Sequence, residues 1–262
     1  MSAKGLRSRS EAATSKSLQG QALSGRATAG ATGAYAVRFV NDPHRSLTHG
    51  YGPLGTTGLT TSRVGFGGYR IDLSDQTYRA ALTKALLEGC NLIDTSTNYG
   101  DGESERLVGQ VIAELDRTKQ VTRDSVVVVS KIGYVQGHNL KRAQAREKAG
   151  RAYQEMVQYG EDIWHCLHPE FLADQLDLSL DRLSLTTLDV CLLHNPEYFL
   201  SDAHHRHQSD LPALRTEFYR RLQSAFVFFE QQVARGRIQY YGVSSNTSTS
   251  PHDHPEATSL SS

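Results

Sequence analysis

The chain has 262 residues, and its 28 Lys and Arg are balanced by 28 Asp and Glu. That length supports one sizeable core with a tail or two small domains, and the charge balance gives no strong field for nucleic acid or an anionic membrane. No apolar stretch is long enough to span a bilayer, and three cysteines, Cys90, Cys166 and Cys191, are too few for a disulfide scaffold and suit a reducing compartment.

Residues 1–48 are rich in Ser, Ala, Gly and Arg and have no evident hydrophobic periodicity. Such a stretch buries too little surface to offset its ordering entropy, so a disordered leader is expected. Lys4, Arg7, Arg9, Lys16, Arg26 and Arg38 meet Glu11 as the one acid before Asp42. That composition also suits a mitochondrial or plastid transit peptide; the other reading is a cytoplasmic protein with an untargeted tail.

From Tyr51 the pattern tightens. Residues 52–59 read as a short hairpin with glycine turns, and 64–68 as a first strand ending in glycines. Residues 76–88 read as a helix with Leu82, Ala85 and Leu86 on one face and Gly89 as a stop. Residues 91–94 form the second strand. Leu107, Val111 and Leu115 mark the next helix, and the valines of 125–130 form a third strand buried on both faces. Residues 134–168 read as a long irregular connection of the kind that shapes substrate pockets. Within it, 141–151 reads as a solvent-facing basic segment, and Trp164, His165, Cys166 and His168 as packing or pocket lining. A zinc site from His165, Cys166 and His168 is disfavoured, because adjacent ligands point apart and a fourth is missing. Leu172, Leu176, Leu180 and Leu183 define a helix, and 188–193 the fourth strand. His204, His205 and His207 fall in a polar loop. Leu214, Phe218, Leu222, Phe226, Phe229 and Val233 mark a longer helix before the fifth strand, 238–243. Beyond Asn246 the chain is polar, with Pro251 and Pro255.

Strands alternating with helices at this spacing imply a parallel sheet with right-handed crossovers. An open doubly wound sheet and a (β/α)8 barrel both fit. Asp94, Lys131 and His194 stand at or just past the ends of the second, third and fourth strands, with Tyr99 five residues beyond Asp94. The carboxyl ends of parallel strands converge on one crevice. Singly, an Asp after a strand caps a turn and a Lys is solvated. Brought together, an acid, a phenol, an amine and an imidazole make a proton-transfer site.

The segments L-G-T-T-G-L-T-T-S-R-V-G-F-G-G, D-T-S-T-N-Y-G-D-G-E-S-E-R-L-V-G, V-V-S-K, L-S-L-D-R-L, D-V-C-L-L-H-N-P-E and G-R-I-Q-Y-Y-G-V-S-S-N occur in this order across residues 52–246. In these the chain resembles the aldo-keto reductase superfamily. The resemblance implies a TIM-type (β/α)8 barrel and NADP(H)-dependent reduction of an aldehyde or ketone, or the reverse oxidation of an alcohol or sugar. On it, Asp94, Tyr99, Lys131 and His194 match the catalytic tetrad. Gly67 and Gly68 fall where the first strand passes the nicotinamide. Ser244, Ser245 and Asn246 match the segment that binds the carboxamide, with S-S-N in place of the commoner S-N.

The chemistry of the residues agrees. Hydride transfer to a carbonyl leaves negative charge on oxygen, and a proton must arrive there. A free phenol, with a pKa of about 10, gives up its proton reluctantly, and a nearby ammonium favours the ionised form. Lys131 can supply that ammonium, Asp94 can hold it, and His194 can hydrogen-bond the substrate oxygen. Tyr99 is then general acid in reduction and general base in oxidation, a role typically worth about 10²–10⁴ in rate. The nicotinamide performs the hydride chemistry.

The barrel is expected to be incomplete. Residues 49–247 supply about five of eight β/α units, and the tail 248–262 has no Lys or Arg for a cofactor 2'-phosphate. Two readings follow: a carboxyl-terminally truncated reductase, or a catalytically inactive fragment acting as a regulatory or interaction protein. A small carbonyl or alcohol is the expected partner, with no nucleic acid, membrane or metal. An unclosed sheet edge also offers a route to self-association.

Overall fold

The computed structural model describes residues 22–41, 49–251 and 254–258. Along the chain run α1 (Ala29–Val40), β1 (Tyr51–Pro53), β2 (Thr60–Ser62), β3 (Phe66–Gly67), α2 (Gln76–Leu87), β4 (Leu92–Asp94), α3 (Glu103–Arg117), β5 (Val127–Ile132) and β6 (Tyr134–Val135). Then follow α4 (Gly137–Lys148), β7 (Val157–Gln158), β8 (Trp164–His165), α5 (Pro169–Leu183), β9 (Leu188–His194), α6 (Tyr198–His205), α7 (Leu211–Ala234) and β10 (Ile238–Ser244).

Strands β3, β4, β5, β9 and β10 form one parallel sheet whose order in space follows their order along the chain. A doubly wound sheet reverses its order at a switch point; this one does not, and it is of TIM-barrel type. Among the described residues β3 and β10 are its two edges, so the barrel is not closed.

Register and the two-residue period of strands settle which side chains share a face. Asp94 pairs with Val129, Lys131 with Leu192, and His194 with Ser244. All therefore lie on the concave face, with Asp94, Lys131, His194 and Ser244 at the carboxyl end. On the other face Ile93, Val128, Cys191 and Leu193 are fully buried beneath the helices. The concave Leu92, Val129, Val190 and Tyr240 are only half-buried, packed against Ala27, Leu59 and Val127.

Helix α3 lies on α5 at Gly109, where any Cβ would collide with the Leu183 carbonyl. Beside it the buried carboxylate of Glu105 accepts from Ser130 Oγ of β5 at 2.6 Å, Arg182 Nε of α5 at 2.6 Å and Ser179 Oγ. These bonds tie both helices to the sheet.

The expected disordered leader is corrected in part. Residues 22–41 are folded, while 1–21 and 42–48 lie outside the described residues. Thr28 caps α1, whose Thr32, Tyr35, Ala36 and Phe39 are buried. Leu23 bridges Leu185, and Ala27 N donates to Asp189 Oδ1 at 2.7 Å. Asp189 is itself buried and ion-paired with Arg123 at 2.9 Å. The segment thus covers the amino-terminal floor of the sheet.

The connection 134–168 is not irregular. It holds α4 and a small antiparallel sheet in the order β6-β8-β7. The polar tail beyond residue 248 folds back where described: Glu256 accepts from Ser201 Oγ at 2.7 Å, and Ala257 and Thr258 are buried.

Candidate active site

The sheet delivers Asp94, Lys131 and His194 to one mouth, and a tight turn delivers Tyr99. Thr95 N and Thr97 N donate to Val129 O and Lys131 O, at 2.8 and 3.1 Å, so the chain after β4 keeps running beside β5. A 3-10 turn, Tyr99–Gly102, then doubles it back. Gly102 has φ 91°, and a Cβ there would sit 2.6 Å from Arg182 Cδ. Both backbone angle and space require glycine at this point.

Lys131 Nζ is the hub. It donates to Asp94 Oδ2 at 2.7 Å, to Thr95 O at 2.9 Å and to Tyr99 Oη at 3.2 Å. The ammonium is almost wholly shielded from solvent, and the Asp94 carboxylate is 43% exposed. Because Lys131 donates to the phenol oxygen, the Tyr99 proton is left over. Among the described residues Tyr99 donates it to nothing.

His194 stands edge-on to Tyr99, with ring centroids 5.9 Å apart. Burial pushes its imidazole down to about 3, with Lys131 and His165 adding to the effect, so it is neutral at physiological pH. Its Nδ1 is 3.0 Å from Ser96 Oγ. Tyr134 packs edge-on at 4.6 Å, and the Tyr134 phenol is pushed up by burial and by Tyr198. Beneath lies His165, fully buried and lowered to about 4 by desolvation, with its Nε2 2.7 Å from His194 O. That bond fixes the backbone that carries the His194 imidazole.

The glycines differ. At Gly68 a Cβ would fall on Ser104 Oγ and lie 3.2 Å from Asp94 O; at Gly67 it would meet nothing within 4 Å. Gly68 is demanded by packing, and Gly67 is an open, exposed floor beside Asp94. Ser244 ends β10, and its carbonyl accepts from Asn195 N at 2.6 Å. Ser245 Oγ is engaged by Thr247 N at 3.1 Å. Asn246 N donates to Glu197 Oε1 at 2.8 Å, while the Asn246 side chain is exposed with no partner among the described residues.

The other singled-out residues serve packing. His168 caps α5 by accepting from Glu170 N at 3.3 Å, and Cys166 is buried. His204 and His205 end helix α6 rather than lying in a loop, and both are exposed. Among the described residues no group of three or more His, Cys, Asp or Glu is placed to hold a metal ion. Sequence reasoning gave no role to Ser96, Asn98, Tyr134 or Gln136. Ser96 and Asn98 lie inside the D-T-S-T-N-Y-G motif, which was the available signal.

Residues 63–252 match the Aldo/keto reductase family over most of the chain. The chain belongs to that family. Over 150 residues it is 31% identical to NADH-specific methylglyoxal reductase of Escherichia coli (strain K12), a match covering 54% of this chain and 40% of the relative. Over 124 residues it is 31% identical to L-galactose dehydrogenase of Arabidopsis thaliana, covering 45% and 38%. The structure of an aldo-keto reductase from Bacillus halodurans in its holo form superposes with a TM-score of 0.52 at 22% identity, over 75% of this chain and 50% of that one. The last likeness concerns fold alone. The matched part is about two fifths of the curated relatives' length. These two relatives are named as a reductase and a dehydrogenase, both oxidoreductases. No helix among the described residues is long and apolar enough to cross a membrane.

Proposed function

We propose that this aldo/keto reductase chain carries the active centre for nicotinamide-dependent reduction of an aldehyde or ketone, or the reverse oxidation of an alcohol or sugar, with Tyr99 as proton donor. The observation that carries this reading is the Lys131 ammonium bonded at once to Asp94 Oδ2 and Tyr99 Oη.

The residues fit the nicotinamide end of such a cofactor. Gly67 leaves open floor beside Asp94, and the free Asn246 side chain, with Ser244 and Ser245 next to it, suits a carboxamide. A nicotinamide bound there supplies or accepts the hydride. The chain's own groups handle the proton. Tyr99 gives its proton to the substrate oxygen in reduction and takes it back in oxidation. Charge left on the Tyr99 oxygen faces the Lys131 ammonium, which Asp94 and Thr95 O hold in place, so the stabilising dipoles are set before reaction. His194, buried and neutral, orients the substrate oxygen. Family resemblance favours NADP(H), whereas the name of the E. coli relative specifies NADH.

The test is titration of the Trp164 and tyrosine fluorescence with NADPH and with NADH, followed by assay of Tyr99→Phe. A saturable change with one nucleotide is expected. The variant is expected to keep that affinity and lose about 10²–10⁴-fold in turnover. Unchanged turnover would remove Tyr99 from the donor role. The unclosed sheet favours a second reading, a regulatory or interaction protein that keeps the site without turnover; absence of any nucleotide-dependent change supports it.

A further inference from the structure

We propose that Asp101 is a positioning residue for Tyr99: its carboxylate caps helix α4 from outside that helix and thereby holds the turn that presents the phenol to Lys131. The turn needs such a hold. Gly100, Asp101 and Gly102 lie in succession in the left-handed region, with φ 56°, 53° and 91°. Glycine enters that region freely. An aspartate enters it at a cost, and persists there where its surroundings over-determine it. Here the surroundings are the amino terminus of α4. His138 N donates to Asp101 Oδ1 at 3.1 Å and to Oδ2 at 3.2 Å, and the His138 imidazole donates to Oδ2 as well. The first amides of a helix have no partner within it. Helix α4 has no cap of its own either: the Gln136 side chain makes no capping bond, and the first turn carries no acid. Asp101 fills both places, as an acceptor and as a negative charge at a helix start. The fit is close. Gly137 has φ 53°, and a Cβ there would fall 2.5 Å from Asp101 Oδ1.

The same stretch of chain holds the turn a second time. Asn98, just before Tyr99, is bonded to Gln136 through the side-chain amides at 2.9 Å. Tyr99 is thus bracketed by Asn98 and Asp101, and both brackets close on residues 136–138. Two residues before that stretch, Tyr134 packs edge-on against His194 at 4.6 Å. The placement of the phenol relative to the imidazole therefore runs through the entry to α4 as well as through the sheet. Of the two brackets, Asp101 is the one with the costly backbone angle. Without its cap the turn relaxes, and Tyr99 Oη leaves its 3.2 Å contact with Lys131 Nζ. Proton transfer is steep in such displacements, about 10²-fold for 1 Å. This consequence for turnover rests on the reductase reading of the site; the placement of the ring does not.

The placement is read without nucleotide or substrate, from ring-to-ring nuclear Overhauser effects in the full chain. The Tyr99 ring lies 5.1 Å from Tyr69 and 5.9 Å from His194 between centroids, and Tyr99→Leu assigns its signals. The Tyr35–Phe39 pair on α1, 5.0 Å apart, reports whether the fold as a whole is intact. Asp101→Gly takes the left-handed angle freely and removes only the cap. His138→Pro keeps Asp101 and removes both of its donors, in a first helical turn that tolerates proline. Each is expected to lose the Tyr99 cross-peaks and to keep the Tyr35–Phe39 one. Asp101→Asn still accepts from His138 N and is expected to keep both. With NADPH and glyceraldehyde as probes, kcat is expected to fall about 10-fold or more in the Gly and Pro variants, with KM within about threefold and kcat retained by the Asn variant. Tyr99 cross-peaks that are absent from the wild type, or that persist in a folded Asp101→Gly or His138→Pro, overturn the proposal. So does an unchanged kcat in a variant that has lost them. Loss of the Tyr35–Phe39 cross-peak in both variants also overturns it, since the cap would then be a general requirement of folding. A wild type that shows the Tyr99 cross-peaks but no turnover fails the reductase reading alone.

Discussion

His165 and His194 hold their ring nitrogens away from water, and that has a cost in acid. Burial lowers them to about 4 and about 3, whereas an unfolded histidine takes a proton near pH 6.5. Between those values the unfolded chain binds more protons than the folded one, so stability rises with pH across the window and falls as pH drops from 6.5 toward 4. For His165 alone the loss approaches about 3 kcal/mol once its full shift is traversed. Urea midpoints measured from pH 4 to pH 8 should therefore climb steeply to near pH 6.5 and then level. His165→Gln, which can still donate to His194 O, should flatten the climb; an identical slope in that variant would show that the burial of His165 does not matter to acid stability. The same residues mark the limit of what the sequence carries at this scale. Asp94, Lys131 and His194 were legible because strand ends announce them, and Tyr99 because a glycine turn follows it. The bond from Ser96 to His194 spans 98 positions, and polar residues in a turn are, locally, only turn formers.

Helix α1 makes the corresponding point for whole elements. Its buried Thr32, Tyr35, Ala36 and Phe39 follow the i, i+3, i+4, i+7 spacing of an amphipathic helix, but Thr32 and Ala36 are small enough to hide the stripe among serines and glycines. Tyr35 and Phe39 pack with ring centroids 5.0 Å apart, and Tyr35 Oη donates to Leu86 O at the end of α2. Phe39→Ala is accordingly expected to cost about 3–5 kcal/mol, as for other buried aromatics. A loss below about 0.5 kcal/mol in denaturant unfolding would reduce the segment to a passive leader. Any processing that leaves the floor intact must cut before Leu23, whose backbone is bonded to Ser184 and Thr186. The small sheet between β5 and α5 was illegible for a different reason. Its strands have two residues each, too short for any period to show, and α4 buries only Asn139, Leu140 and Ala143 beneath a highly charged surface.

At the scale of the whole molecule, alternation predicted the parallel sheet, but two architectures shared that alternation and only the spatial order of strands separates them. That order has a physical consequence. Among the described residues strand β10 is paired on one side only, and that edge presents unpaired backbone groups to any other chain. Beside it Leu92, Val129, Val190 and Tyr240 remain half-buried on the concave face. An apolar face next to an open edge promotes association. Sedimentation velocity over a concentration series should therefore show species larger than the monomer, growing with concentration. Added salt should not dissolve them, since screening acts on charges and not on apolar surface. Val190→Glu places a carboxylate in the middle of the concave face and should return the protein to the monomer. A single monomeric boundary at every concentration of the wild type would mean that the concave face and the β10 edge are already shielded from solvent by other parts of the chain.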